Sequence, residues 1–422
     1  MVLMGIAIAV LLVIRVPVAF AILGPCLWYM WANDQSIGFS LRQVTNGIDS
    51  WPLLAVPLFI LVGVVANRAG IADRLFDFAL AAIGRVRGSL GYVNVGVSLG
   101  FSWMSGSALA DAAGLGSVEV PAMKRKGYPE RFSIGITGAS TVIGPIMPPS
   151  IPAIVYAAVG SVSIAALFAA AVVPAFLMAA ALAVSVFIWA RKQRDLERVE
   201  FGWRQLARTA GRATLPMVTP VIILGGILGG YFTPTEAAGV GAVYILVLGL
   251  GYRSIKVRDL PGIFRDTALT TASIMLILGA SSLLGWILAR EQVPRLVAEQ
   301  VLEFTDSKVM FLIMVLLLLL LVGAVIEPTS ALVISVPILL PVAVQFGVDP
   351  VHFGIIVILN LMLGLLTPPI GGVLYVLSSV TGATVTDVFR GVAPFLIPLL
   401  AVLLLVTFLP GIVTWFPGLL GL

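Results

Sequence analysis

Two short elements hold most of the chemistry in this chain. Each reads Gly-x-x-x-Pro-Pro: Gly144 to Pro148-Pro149, and Gly364 to Pro368-Pro369. Proline has no N–H and cannot bond the carbonyl four residues back. In a helix these prolines release the carbonyls of Gly144 and Pro145, and of Gly364 and Leu365. At membrane depth an unpaired carbonyl is costly and needs a partner. Oxygen-lined breaks suit a hard cation such as Na⁺. The plainer reading is a proline kink patched by a neighbouring helix or hydroxyl. One break would favour that reading, and two at related places favour function.

Two stretches rich in small or polar residues flank these elements. The first reads Ser105-Gly106-Ser107-Ala108-Leu109-Ala110-Asp111-Ala112-Ala113-Gly114. Small residues let helices approach closely, and the hydroxyls of Ser105 and Ser107 suit a cation or a carboxylate-bearing solute. Close packing alone explains them equally well. For Asp111 the plainer reading is a carboxylate paired with backbone or a loop cation. The second stretch is Glu327-Pro328-Thr329-Ser330, at the end of the apolar run Val309 to Ile326. An ionisable group at membrane depth is a functional candidate by default. Glu327 also suits the cap of the helix that Pro328 would open, and the two roles are compatible. Thr233-Pro234-Thr235-Glu236 has the spacing of a capping box, a structural role. His352 reads as a solvated histidine in an external loop. Asn360, inside a broken crossing, either ligates or braces the break.

The elements that position these residues are membrane spans. Of 422 residues, 60% are hydrophobic and 11% charged, and the mean hydropathy is +1.11. A soluble globular chain has about 25% charged residues, so this is an all-α polytopic membrane protein. A soluble enzyme, a disordered chain and a disulfide scaffold are excluded. The net charge of +5 sits in short loops between apolar runs, which is a topology signal and no sign of nucleic acid. One cysteine, Cys26, excludes an internal disulfide, and with one histidine argues against a zinc site. No basic leader or cleavage site opens the chain, so no signal peptide is expected.

Runs able to approach or cross ~30 Å of hydrocarbon are 2–31, 51–66, 132–160, 164–190, 213–232, 234–252, 267–289, 351–378 and 394–416. Arg15 and Pro17 divide the first into one kinked crossing or two. The stretches 89–122 and 309–346 are interrupted and long enough to enter and return, as re-entrant hairpins. Basic loops lie at Arg68, Arg74, Arg85 and Arg87, at KRKGYPER (124–131), along Arg191, Lys192, Arg194, Arg198, Arg204, Arg208 and Arg212, and at Arg253, Lys256, Arg258 and Arg265. All should be cytoplasmic.

The halves repeat. Ser107-Ala108-Leu109 matches Ser330-Ala331-Leu332, and Gly144 with Pro148-Pro149 matches Gly364 with Pro368-Pro369, about 220 residues later. Five crossings separate the repeat-related runs 132–160 and 351–378, an odd number, so the halves should be inverted. Inverted repeats with broken helices point to a secondary transporter with its site at the repeat interface. The expected organisation is scaffold helices in 1–66 and a cytoplasmic amphipathic arm in 67–88. A first repeat in 89–190 holds hairpin 89–122 and broken helix 132–160. Basic loops and scaffold helices fill 191–266. A second repeat in 267–422 holds hairpin 309–346 and broken helix 351–378. No metalloprotease, nucleotide-binding or nucleophile-elbow motif appears, so no enzyme is expected.

SGSALADAAG, PAMKRKGYPERF, GPIMPPSIPAIVY, GGYFTPTEAAGVGAVY, EPTSALVISVPILLP and NLMLGLLTPPIGGVLYV occur in this order. This series resembles the large membrane subunit of tripartite ATP-independent periplasmic (TRAP) transporters over nearly the whole chain. The resemblance implies an elevator-type ion-transporter fold in the bacterial inner membrane. It implies Na⁺-driven uptake of a small organic acid, with Na⁺ as coupling ion and no cofactor. It implies two partners: a small membrane subunit of about four helices, expected as a separate chain, and a periplasmic substrate-binding protein. Carried over by motif, the first cation site involves Ser105, Gly106, Gly144, Pro145 and Pro148. The second involves Glu327, Thr329, Gly364, Thr367 and Pro368. Substrate is expected at Ser107, Ser150, Glu327, Ser330 and Asn360. The second tip departs from the family's Asp-Pro, because here it is Glu327-Pro328. A self-sufficient carboxylate cotransporter, a proton-coupled version using Glu327, and an intramembrane enzyme are the alternatives.

Overall fold

A computed structural model describes residues 1–14, 16–193 and 202–422. Arg15, Arg194 and Arg198 lie outside the described residues. The described chain forms twenty α-helices and two short 3-10 turns, with no strand among the described residues. Helix is what a membrane demands, since each backbone N–H and C=O must be satisfied within its own segment. Among the described residues, eight helices are long and apolar enough to cross. Their outer faces are as apolar as their inner ones: Leu321 and Ile397 are 70% and 72% exposed. A helix hydrophobic all round belongs in lipid or a core.

The first hairpin has an entry arm, Ser89–Ser105, and a return arm, Ala108–Arg125. The first broken helix has a near half, Glu130–Thr141, and a far half, Ile151–Gly160. The second hairpin comprises Lys308–Val325 and Pro328–Gln345. The second broken helix comprises Pro350–Gly364 and Gly372–Thr381. The repeats interlock reciprocally. Each return arm packs on the far half of the other repeat's broken helix. Each near half packs on the long helix that follows the other repeat's broken helix, Ile164–Arg191 or Val385–Phe408. Such swapped contacts are what a two-fold relation between repeats produces.

A second group of helices leans against this interlocked body. The 31-residue helix Leu260–Arg290 packs on Val18–Ala32, Ile37–Asn46 and Ala55–Arg68. Pro234–Gly251 joins Ala55–Arg68 to Trp203–Leu228. The capping box at its start forms as its spacing implies. Thr233 N–H donates to Oε2 of Glu236 at 2.8 Å, and Glu236 N–H donates to the Thr233 hydroxyl at 3.3 Å.

The run 2–31 is two helices, Val2–Val13 and Val18–Ala32. The helices Ile37–Asn46 and Val293–Phe304 are absent from the sequence reading. Their apolar residues occupy one stripe only, so neither registers as a hydrophobic run. His352 needs correction. It is buried in the first turn of Pro350–Gly364, and its Nε2–H donates to the Val406 carbonyl at 2.9 Å. The loop ends before His352 because Asp349 caps this helix, accepting from His352 N–H at 2.9 Å.

Candidate functional site

The two tips meet across one cavity of about 370 Å³. Gly106, Ser107, Ala108 and Leu109 line it from the first repeat, and Glu327, Pro328 and Thr329 from the second. Pro145, Ile151 and Pro152 come from the first break, and Met362 and Leu365 from the second. One wall comes from outside the hairpins and broken helices: Thr270, Ser273, Ile274 and Ile277 of Leu260–Arg290. Among the described residues, no lysine or arginine lines this cavity.

Three helices begin at its edge, and each start has a local cause. The Ser107 hydroxyl accepts from Ala110 N–H at 3.4 Å and opens the first return arm. The Ser150 hydroxyl accepts from Ala153 N–H at 3.1 Å and opens the far half-helix, with Pro152 in its first turn. Glu327 opens the second return arm. Its Oε2 accepts from Ser330 N–H at 3.0 Å and from the Ser330 hydroxyl at 3.2 Å. Its Oε1 accepts from the Thr329 hydroxyl at 2.9 Å. Helix N-termini carry partial positive charge and suit an anion. Gly106 makes the first tip turn at φ +62°, and a side chain there would also stand 2.9 Å from the Pro149 carbonyl.

Of the residues expected in the site, Gly106, Ser107, Pro145, Glu327 and Thr329 line the cavity. Others sit behind it. Ser150 is fully buried, and its hydroxyl donates to the Pro145 carbonyl. Ser330 is spent on the Glu327 carboxylate. Asn360 braces rather than faces the cavity: it is fully buried and its Nδ2 donates to the Leu316 carbonyl of the second entry arm at 2.9 Å. The Thr367 hydroxyl donates to the Leu363 carbonyl at 3.1 Å. Pro148 and Pro368 each begin a cis Pro-Pro bond.

The expectation of four free carbonyls is corrected. Gly364 O accepts from Thr367 N–H at 2.9 Å, and Leu365 O from Val373 N–H at 3.3 Å. Pro145 O accepts from Ser150. The turn replaces the lost helical bonds with shorter-range ones, so three of the four are satisfied locally. Gly144 accepts no bond from the described residues.

Asp111 also departs from its plain reading. It is fully buried, and neither carboxylate oxygen has a partner. The Ser105 hydroxyl faces it without a well-formed bond and is itself unpartnered. A Cβ on Gly144 would collide with Asp111 Oδ2. The first repeat thus gathers an uncompensated carboxylate, an idle hydroxyl and an idle carbonyl just behind its tip. An ionised carboxyl there costs several kcal/mol, and either a proton or a bound cation would relieve it. Farther along the same return arm, Glu119 is also fully buried. The sequence reading missed it, although an acid inside a hairpin run was signal enough. It missed Thr270 and Ser273 too, since hydroxyls on an apolar span look like packing until the tips are seen against them.

Comparison with known proteins agrees. The family described as Tripartite ATP-independent periplasmic transporter, DctM component, fits residues 5–412. The chain is 43% identical to the sialic acid TRAP transporter large permease protein SiaM of Vibrio cholerae, over 97% of this chain and 96% of that one. It is 38% identical to the C4-dicarboxylate TRAP transporter large permease protein DctM of Pseudomonas aeruginosa, over 89% and 88%. The sialic acid TRAP transporter permease protein SiaT of Haemophilus influenzae is 37% identical, over 97% of this chain and 67% of that longer one. Among solved structures, the Alcanivorax borkumensis YdaH transporter shares the fold, with a TM-score of 0.62 at 13% identity over 89% and 88% of the chains. The eight apolar spans and bacterial relatives describe a multi-pass inner-membrane transport protein, not an enzyme. Large permeases of this kind work with a substrate-binding protein and a small membrane subunit. By family fit and full-length similarity, the chain belongs to the TRAP transporter large permeases.

Proposed function

We propose that this chain carries a small organic acid inward, coupled to Na⁺, by an elevator movement of the interlocked repeats against the remaining helices. A periplasmic binding protein delivers the solute, and the small membrane subunit is a separate chain. The observation that carries this reading is the cavity between the tips. It offers an anion hydroxyls and helix N-termini but no cationic side chain, and it presents the carboxylate of Glu327. An anion is repelled there until a cation neutralises Glu327. Cation and solute therefore strengthen each other's binding, and that coupling is reciprocal.

One cation would sit at Glu327 and Thr329, backed by the second break at Gly364, Thr367 and Pro368. The other would sit behind the first tip, among Ser105, Gly106, Gly144, Pro145 and Pro148, with Asp111 as its counter-charge. Ser107, Thr329, Thr270 and Ser273 would meet the solute. The relatives named for sialic acid and for C4-dicarboxylates support an organic acid as cargo.

Thermal unfolding in NaCl, KCl and choline chloride at equal ionic strength tests the coupling ion without a known solute. A ligand at 100 times its Kd adds about 2.7 kcal/mol to the folded state. We expect a selective, saturable Na⁺ shift that is reduced in Glu327→Ala. Equal stability in all three salts, with uptake following a pH gradient in the absence of Na⁺, would overturn the sodium reading.

A further inference from the structure

Another cavity, of about 490 Å³, shares no residue with the one between the tips. Asp73, Arg74, Asp77, Arg212, Tyr252 and Ser254 supply most of its polar wall. Three of the basic loops meet there. The loop 67–88 brings Asp73, Arg74 and Asp77, the loop 191–212 brings Arg212, and the loop 253–265 brings Ser254. Their charge puts the cavity on the cytoplasmic face. Three spans also end there. Gly70 closely follows Ala55–Arg68, Tyr252 directly follows Pro234–Gly251, and Arg212 precedes the apolar part of Trp203–Leu228. Leu215, one turn farther into that span, is 45% exposed. The cavity therefore stands level with lipid headgroups.

Its four charged side chains face one space without pairing. Among the described residues, Asp73, Arg74, Asp77 and Arg212 enter no ion pair. The Arg74 guanidinium lies over the Tyr252 ring at 3.6 Å, and its bond to the Ser254 hydroxyl is long, at 3.5 Å. The Tyr252 hydroxyl is buried and has no partner. Asp73 and Asp77 are four residues apart on Ile71–Ile83, so they share a helix face and repel each other. Asp73 stands in the first turn and complements the helix dipole there. Asp77, one turn on, has no such role. It feels the charge of Arg212 without touching it. A ligand of one sign is opposed by half of this wall. A ligand with both signs is attracted by each half.

We propose that this cavity binds a zwitterion that joins a primary ammonium to a phosphate, as the headgroup of phosphatidylethanolamine does. The ammonium donates to Asp73 and Asp77 and relieves their repulsion. The phosphate accepts from Arg74, Arg212 and the Tyr252 hydroxyl, through charge-assisted bonds. A choline headgroup has no N–H for the carboxylates, and a glycerol headgroup has no ammonium. The position at headgroup depth favours a lipid over a free zwitterion as the source. Bound there, the headgroup ties the arm Ile71–Ile83 to Trp203–Leu228 and to Tyr252. None of this depends on the coupling ion.

Hydrogen exchange tests the site on the full chain, delipidated in detergent and titrated with dioleoyl phosphatidylethanolamine, phosphatidylglycerol or phosphatidylcholine. Amides of 71–83 should slow saturably with the ethanolamine lipid, at a concentration roughly tenfold lower than with the other two. Asp77→Asn should lose the discrimination against phosphatidylglycerol. Arg212→Gln should weaken protection by the ethanolamine lipid roughly tenfold. The two variants remove opposite charges at exposed positions, and unfolding in lipid-free detergent checks that each is folded. Equal protection by the three lipids, or a preference unchanged in both variants, overturns the site. Glycerophosphoethanolamine, which has no acyl chains, separates the sources. If it protects the arm and the ethanolamine lipid does not, the lipid source is overturned and the zwitterion site stands.

Discussion

In the first repeat, the hairpin and near half-helix enclose Asn94, Ser98, Asp111, Glu119, Thr137 and Ser140, all fully buried. In the second, the interior is mainly apolar, with Leu316, Leu319, Val333, Val336 and Leu359, and its buried polar residues include Ser330, His352 and Asn360 but no carboxylate. Aligning Ser107 with Ser330 puts Ile334 opposite Asp111 and Val342 opposite Glu119. The second repeat keeps its carboxylate, Glu327, on the cavity wall, where its own helix start satisfies both oxygens. The first keeps Asp111 behind the tip, where nothing satisfies either oxygen, and Glu119 farther along, where Asn94 satisfies one. Two repeats of one shape thus handle charge differently. Glu327 stands at the cavity, whereas Asp111 is closed off from it.

Substitutions can break this comparison. The largest effect is expected at the tips. Glu327→Ala should abolish Na⁺-driven uptake in proteoliposomes with both partners present. Glu327→Gln, which keeps an accepting oxygen for the cap, should insert normally and still fail to transport. Normal uptake in Glu327→Gln would mean that the cap matters and the charge does not. Asp111→Asn should raise the unfolding temperature without Na⁺, because an uncompensated buried carboxylate is removed, and should shrink the Na⁺ shift.

Next comes the interior. Asn94→Leu strands Glu119, while the Ser140 hydroxyl keeps its bond to the Thr137 carbonyl at 3.0 Å, and an orphaned buried group costs about 1–3 kcal/mol. Unfolding in detergent should show a correspondingly large drop. Gly106→Ala forces a left-handed turn on an L side chain, about 1–2 kcal/mol, and presses on the Pro149 carbonyl. Uptake should fall with little change in membrane insertion. The smallest effect is Asn360→Leu, which removes one bond to Leu316 O and should cost about 1 kcal/mol. If Asn360→Leu proves as damaging as Asn94→Leu, the two interiors are not energetically distinct.

Much of this was legible in the residues. The paired proline breaks announce themselves because proline's missing N–H acts on its own helix whatever surrounds it. The hairpin tips show as gaps in apolar runs, since a membrane tolerates polar residues only where something faces them. The capping box at Thr233 and Glu236 is a contact over three residues and needs no tertiary context. Glu327 stood out as a lone acid after a long aliphatic run.

Other features could not be read that way. Asp111 reads as paired, because a lone acid gives no hint that burial will leave both its oxygens without partners. Ser150 and Asn360 look like ligands by type and position, yet helix packing turns them away from the cavity. Thr270 and Ser273 join the site only because a distant span lies against both tips. His352 follows a loop sequence, and its burial comes from Val406, 54 residues away. The sequence by itself determined the spans, the breaks and the repeat, since these follow from the solubility and hydrogen bonding of each segment alone. Only the tertiary structure decided which carboxylates are satisfied and which are stranded, because partnership depends on which helices close over a side chain.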